Sequence, residues 1–283
     1  HKSSHSFPTR RSSDLIRNSL RAKRMQDQLI MYQERLETRI RERTNQLERT
    51  QRVTAFSLAR LAESRDIETG EHLNRMRAYA REIASELSTW PKYQHVLDQV
   101  FIEELYHASP LHDIGKVGIP DRILLKPGKL TEDEFEIMKG HSAIGGDTLL
   151  AADREAGEDS FLAMGCDIAY HHHERWDGKG YPRQLAGEDI PIAARIVAIA
   201  DVYDALSSKR PYKDAFTHEK SRAIVMEGRG FQFDPDVVDA FVAREEKILE
   251  IKSTLPDSGA MSPLQKLIVS LDTRAGHEAT ATK

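Results

Sequence analysis

Ile192 to Leu206 reads IAARIVAIADVYDAL, and the class of the whole fold turns on that run. It is apolar nearly all round and long enough for a buried helix, although its Ile and Val content makes a buried strand the competing assignment. No alternating hairpin partner lies nearby, so the expectation is helix, and with it an all-α fold. Asp201 interrupts the apolar surface. A buried carboxylate without a partner costs several kcal/mol, so Asp201 is expected to face a cation, with Arg195 and Arg210 as candidates if its role is structural.

Outward from this run, punctuation sets the other elements. Thr131 and Glu134 in TEDE form a capping box that opens a helix carrying Met138, His141 and Ile144. Asp234-Pro235 pairs an N-cap with proline at the first helical position and opens a helix over 235–250. KPGK (126–129) and DGKGYP (177–182) are turns on Gly/Pro grounds. Together these make a helix-rich domain over 62–255. Ahead of it, 15–61 contains neither Gly nor Pro, and Leu29, Leu36, Ile40 and Leu47 fall at steps of seven, four and seven. That is an a/d stripe, with Gln33, Arg43 and Thr50 at the positions between, and it fits a connecting helix or a parallel two-stranded coil. Residues 1–14 (HKSSHSFPTRRSSD) read as a non-native or disordered segment. Residues 256–283 read as a polar tail with one apolar stretch, Leu264 to Leu271, as a loose helix.

Composition narrows the function classes. Among 283 residues, 41 Lys+Arg stand against 45 Asp+Glu, a formal charge of −4. This excludes the broad cationic field needed to wrap a long nucleic acid or lie on an anionic membrane, and still allows a small anionic ligand. No apolar run approaches the ~18–20 residues of a membrane span, and nothing reads as a secretory signal. The single cysteine, Cys166, fits a reducing compartment, so a cytoplasmic protein is expected. Twelve histidines against one cysteine mean that any transition-metal site is built from imidazole and carboxylate.

Those residue types are grouped. His112-Asp113 follows Pro110; neighbours at the start of a helix cannot share a face, but one metal could take the imidazole while the carboxylate bridges to a second. Glu68 and His72 are four apart, on one face if 62–86 is one helix. His141 lies mid-helix on the side of Ile137 and Ile144, an inward place for a polar residue. His172 and His173 close a segment beginning near Phe161. Taken singly, each has an ordinary structural reading, as do His95, His107, His218 and His277, which are read as hydrogen-bonded core residues. Converging from separate helices, the set suits iron, manganese, zinc or nickel, and a bridging Asp suits two ions ~3.5–4 Å apart.

The stretches RDIETGEHLNRM (65–76), SPLHDIGKVGIPDRILLKPGKLTEDEFEIMKGHSAIGGDTLL (109–150), HHERWDGKGYP (172–182) and ARIVAIADVYDALSSKRPYK (194–213) resemble the HD-GYP family. This family is a branch of the HD-domain metal-dependent phosphohydrolases. The resemblance covers roughly 62–250 with the motifs in family order, and the combination of HDIGK with HHExxDGxGYP is highly specific. It implies an all-α helical bundle and hydrolysis of the bacterial second messenger cyclic di-GMP to pGpG, and onward to GMP in many members.

Carried over by position, the resemblance implies that His72, His112, Asp113, His141, His172, His173 and Asp201 are metal ligands, with Asp113 bridging. Glu68 matches the extra carboxylate of members with three ions rather than two, so two or three divalent ions are implied, iron or manganese by family expectation. Lys116 matches a lysine that contacts substrate phosphate, Tyr181 a residue lining the guanine-nucleotide site, and Arg210 and Lys213 phosphate-binding cations. His171 is extra to the pattern and is read as a neighbour. In this reading a solvent hydroxide shared by two metals attacks the phosphodiester in line, while Lys116 offsets charge on the phosphoryl group. Gly178 and Gly180 let the loop backbone approach the ligand. An HD phosphohydrolase for another nucleotide and a non-catalytic cyclic-dinucleotide sensor are the alternatives, the intact ligand set counting against the second. The family also commonly carries a receiver or sensory domain ahead of a connecting helix. The chain is therefore expected to be the output half of a response regulator, dimeric through its N-terminal helix.

Overall fold

The computed structural model describes residues 9–65, 71–157, 162–209 and 214–256. Glu68, Arg210, Lys213, His277 and the tail beyond Pro256 lie outside these residues. Ten α-helices form among them, with short 3-10 turns and no strand: α1 Thr9–Glu63, α2 His72–Leu87, α3 Gln99–Ala108, α4 Asp121–Leu124, α5 Glu132–Ala156, α6 Leu162–His171, α7 Ile192–Ser207, α8 His218–Glu227, α9 Pro235–Ala243 and α10 Glu245–Thr254. None is long and apolar enough to cross a membrane.

The chain divides after Thr54 into two units. The first contains most of α1, which begins at Thr9, six residues ahead of the Leu15 start read from the sequence. Its stripe is uncovered: Leu29, Leu36, Ile40 and Leu47 are 40% to 65% exposed.

In the second unit α7 is the central element. It packs against α2, α6, α8 and α9, and Ile196, Val197, Ile199 and Ala200 are completely buried. A helix surrounded on several sides has no polar face, which is why its sequence shows no clean amphipathic period. Around it, α5 opens with the expected capping box: Thr131 Oγ1 accepts from Glu134 N at 3.3 Å, and Glu134 Oε2 accepts from Thr131 N at 2.8 Å. Asp234 caps α9 by accepting from Asp236 N at 2.8 Å, with Pro235 at the first position.

Several readings change in the structure. The single helix over 62–86, on which a shared face for Glu68 and His72 depended, does not form: α1 ends at Glu63 and α2 begins at His72. Gly70, a poor helix former, lies in that interval of the sequence. The helix expected over 235–250 is interrupted at Arg244, which leaves helical dihedrals (φ −103°, ψ 15°) while its guanidinium reaches Glu86 on α2 at 2.8 Å. The following Glu245-Glu246 then supplies the acidic first turn that favours a new helix N-terminus. On α5 His141 is buried together with Ser142, Gly145, Gly146 and Leu149, whereas Ile137 and Ile144 are 42% and 36% exposed, so the inward face is not the one that carries those two isoleucines. Among the other histidines, His218 is bonded as expected, to Tyr203 Oη at 2.9 Å and Glu245 Oε1 at 2.5 Å, but His95 is exposed.

Cys166 is buried in the same core, and burial pushes its thiol up to about 11. The folded protein should therefore resist iodoacetamide at pH 8, and intact-mass measurement should show one added group only after unfolding; fast labelling of the native protein would contradict the packing around α6.

Candidate metal centre

Five segments bring their donors to one place in the second unit. His72 is the first residue of α2 and Asp201 lies in the middle of α7. His112 and Asp113 stand between two 3-10 turns, Ser109–Leu111 and Ile114–Gly118, rather than at the start of an α-helix as the sequence suggested. His141 comes from α5, and His172 and His173 directly follow α6. All seven expected ligands that are described converge, in two groups whose donor atoms lie within 4.8 Å of one another: Asp113 with His141, His172 and His173, and His72 with His112 and Asp201.

Asp113 links the groups. Its Oδ2 is 3.3 Å from His112 Nε2, while its Oδ1 is 3.2 Å from His141 Nε2 and 3.6 Å from His172 Nε2. Asp201 Oδ1 is 3.6 Å from His72 Nε2 and 4.0 Å from His112 Nε2. The cation partner expected for Asp201 is not Arg195, which instead pairs with Asp234 at 2.6 Å; the groups facing Asp201 are imidazoles. His112 Nε2 and Asp113 Oδ1 are buried yet make no hydrogen bond. Leaving such atoms unsatisfied costs about 1–3 kcal/mol each, so donors aimed at common points rather than at each other fit cations better than they fit a protein core. An imidazole and carboxylate set without thiolate suits a hard or borderline divalent ion.

Electrostatics fit the same use. Burial would raise the Asp113 carboxyl, but Lys116, with Nζ 2.7 Å from Oδ2, and His112 hold it well below the usual carboxylate range. Burial pushes the His172 and His173 imidazoles down, the neighbouring histidines adding to it, which keeps them in the neutral form that ligates. Burial also works against a charged His112, but Asp113 and Asp201 outweigh it and hold this imidazole up. His171 belongs to neither group; it is buried 3.9 Å from Glu174, and burial lowers it to about 4.

The loop after His173 forms one wall. The Tyr181 ring lies 4.8 Å from the His173 ring at 32°, and its hydroxyl is raised by burial and by Asp113 and Asp201. Tyr181-Pro182 is cis. Gly178 has φ +75°, as its turn requires, and a Cβ on Gly180 would come within 2.6 Å of His173 O. A close approach that calls for Gly180 is thus present between two stretches of this chain's own backbone.

Several supporting residues escaped the sequence reading. Glu174, buried, accepts from Arg183 N at 2.6 Å and Leu185 N at 3.1 Å and so pins the loop. Asp204 accepts from His72 Nδ1 at 2.8 Å and pairs with Arg75. Their spacing offered a signal: Arg75 follows His72 by three, and Asp204 follows Asp201 by three, each pair on one helix face. Glu63 Oε1 is 4.0 Å from His72 Nε2. Gly115 packs on α5 so closely that a Cβ would collide with His141 O and Gly145 N.

Comparison with known proteins adds three findings. A family model described as HD domain matches residues 57–237. A "Cyclic di-GMP phosphodiesterase" of Vibrio cholerae is 52% identical over 214 residues, and the "Cyclic di-GMP phosphodiesterase response regulator RpfG" of Xanthomonas campestris is 43% identical over 216; each match takes in 76% of this chain. A "3'3'-cGAMP-specific phosphodiesterase 2" of Vibrio cholerae is 40% identical over 211 residues, 75% of this chain. The chain spans only 44%, 54% and 38% of the lengths of these relatives.

Two substitutions test the supporting frame. Gly115→Ala should lower stability by about 1–3 kcal/mol through overpacking against α5, read as a shift of the denaturation midpoint. Glu174→Gln should release the 174–185 loop, seen as faster amide exchange at Arg183 and Leu185 with the helices still protected; unchanged exchange there would remove Glu174 from this role.

Proposed function

We propose, from the premise that this chain belongs to the HD domain family and carries its HD-GYP motifs, that it is a metal-dependent phosphodiesterase hydrolysing cyclic di-GMP. The observation that carries the reading is Asp113, whose two oxygens face two separate histidine groups. Relatives named for cyclic di-GMP hydrolysis support the substrate. His72, His112 and Asp201 would hold one divalent ion and His141, His172 and His173 another, with Asp113 shared; iron or manganese is the preferred identity. Glu68 is assigned as a donor to a third ion.

Such ions, when bound, supply a solvent nucleophile near neutral pH and neutralise phosphoryl oxygens. The chain's own residues do the rest. Lys116 keeps Asp113 ionised from 2.7 Å and offers its ammonium to the phosphoryl group as charge develops. Tyr181 presents a ring beside His173 against which a guanine can lie. Arg210 and Lys213 are assigned to the phosphates, fixing which of the two esters is presented. Glu174 keeps the Tyr181 loop in register with the histidines, so that base recognition and hydrolysis stay aligned.

We assign the stripe on α1 to pairing with a second copy, in a chain that forms the output part of a longer response regulator. The exposed Leu29, Leu36, Ile40 and Leu47 support this, and the partial coverage of the relatives leaves room for a receiver or sensory domain.

Metal-reconstituted protein should convert cyclic di-GMP to pGpG or GMP. Chelation should abolish turnover, added manganese or iron should restore it, and His112→Ala/Asp113→Ala should reduce it to background. Absence of turnover with every divalent ion would favour the sensing alternative, and faster turnover of the mixed cyclic dinucleotide would reassign the substrate. Glu68→Ala should lower the bound metal by about one ion per chain in elemental analysis. Leu36→Lys should convert dimer to monomer in sedimentation velocity; an unaltered protein that sediments as a monomer would remove the coil.

A further inference from the structure

The histidines of the two groups are not held alike. His112 turns Nδ1 to Ser109 O at 3.1 Å, His141 to Met138 O at 2.7 Å, and His172 to Ile168 O at 3.0 Å. Each acceptor is a neutral main-chain carbonyl three or four residues back in the same stretch of chain. His72 differs: its Nδ1 meets a carboxylate, Asp204 Oδ2, at 2.8 Å. That carboxylate is gripped by Arg75, Nε to Oδ1 at 2.6 Å and Nη2 to Oδ2 at 2.9 Å. Arg75 is steadied in turn by Ser208 Oγ at 2.9 Å and Leu255 O at 3.1 Å. His72, Arg75 and Asp204 are all buried, at 3%, 1% and 1% exposure, so solvent does not screen the contact.

A carboxylate accepting from one ring nitrogen raises the basicity of the other more than a carbonyl does, and fixes the ring plane as well. Arg75 draws some charge from Asp204, but a bidentate fork leaves an anion, where the other three imidazoles have only a dipole. The donor sets point the same way. With Asp113 shared, the His72 group combines two imidazoles with two carboxylates and the His141 group three imidazoles with one.

We infer that Asp204, steered by Arg75, is a positioning residue that makes the His72–His112–Asp201 group hold its ion more tightly than the Asp113–His141–His172–His173 group. The inference rests on the two-ion reading above and adds an order of filling to it. Protein loaded with manganese(II) should release its ions against graded chelator in two steps, followed by elemental analysis rather than by activity. Asp204→Asn should move the tighter step about 10–100-fold toward weaker binding and leave the other in place. Arg75→Lys, which keeps the charge but not the fork, should move it the same way by less. His141→Ala should remove the weaker step and preserve the tighter.

A shift of the weaker step, of neither step, or of both equally with a lower melting temperature of the metal-free protein would reduce Asp204 to a structural acid and overturn the inference. Should Asp204→Asn fail to fold, His141→Ala still decides, because loss of the tighter step in that variant overturns the assignment. Failure of the unaltered protein to bind manganese would instead defeat the two-ion reading itself.

Discussion

One carboxylate organises the centre. Asp113 can serve two groups only if the turn that bears it, α5, the end of α6 and α7 meet at a fixed separation, because its two oxygens are only ~2 Å apart. The fold supplies that separation by close backbone contact. Gly115, two residues on, lies against α5 at His141 and Gly145, so the turn carrying Asp113 and the helix carrying His141 are set by main chain rather than by adjustable side chains. Lys116, on the same turn, answers the charge that this arrangement concentrates. Stability and chemistry thus compete for the same residues, and the neighbouring ammonium is what holds the charge of Asp113 among the histidines.

Much of this was legible in the sequence, for identifiable reasons. The buried α7, the capping box of α5 and the Asp234 cap depend on residues close along the chain, and each formed where local chemistry required. The convergence of candidate donors could be read because His and Asp have few other reasons to lie on inward faces of several elements at once. What was missed depends on distant segments. The interruption at Arg244 goes with its contact to Glu86 on α2, and the 3-10 turn after Asp113 with the packing of Gly115 on α5. Asp204 looked like any acid of a helix until α2 brought Arg75 and His72 against it. The close approach of Gly180 to the chain's own backbone shows only in the folded loop.

The division of labour around the imidazoles also bears on how the protein is built. His112, His141 and His172 take their direction from carbonyls three or four residues back in their own stretch of chain, whereas His72 depends on a contact between helices. The first kind of constraint survives small movements between helices, whereas the second registers them. A disturbance at the packing of α2 on α7 therefore falls first on His72.

Glu174 carries a consequence for evolutionary change. By accepting two main-chain N–H groups nine and eleven residues ahead, it holds the loop through backbone rather than side-chain contacts. An exposed position such as Lys179 can therefore vary while the backbone path past the histidines stays the same. Such a loop is a cassette: its rim can drift without the histidine-bearing floor being rebuilt, so the two can change independently of each other.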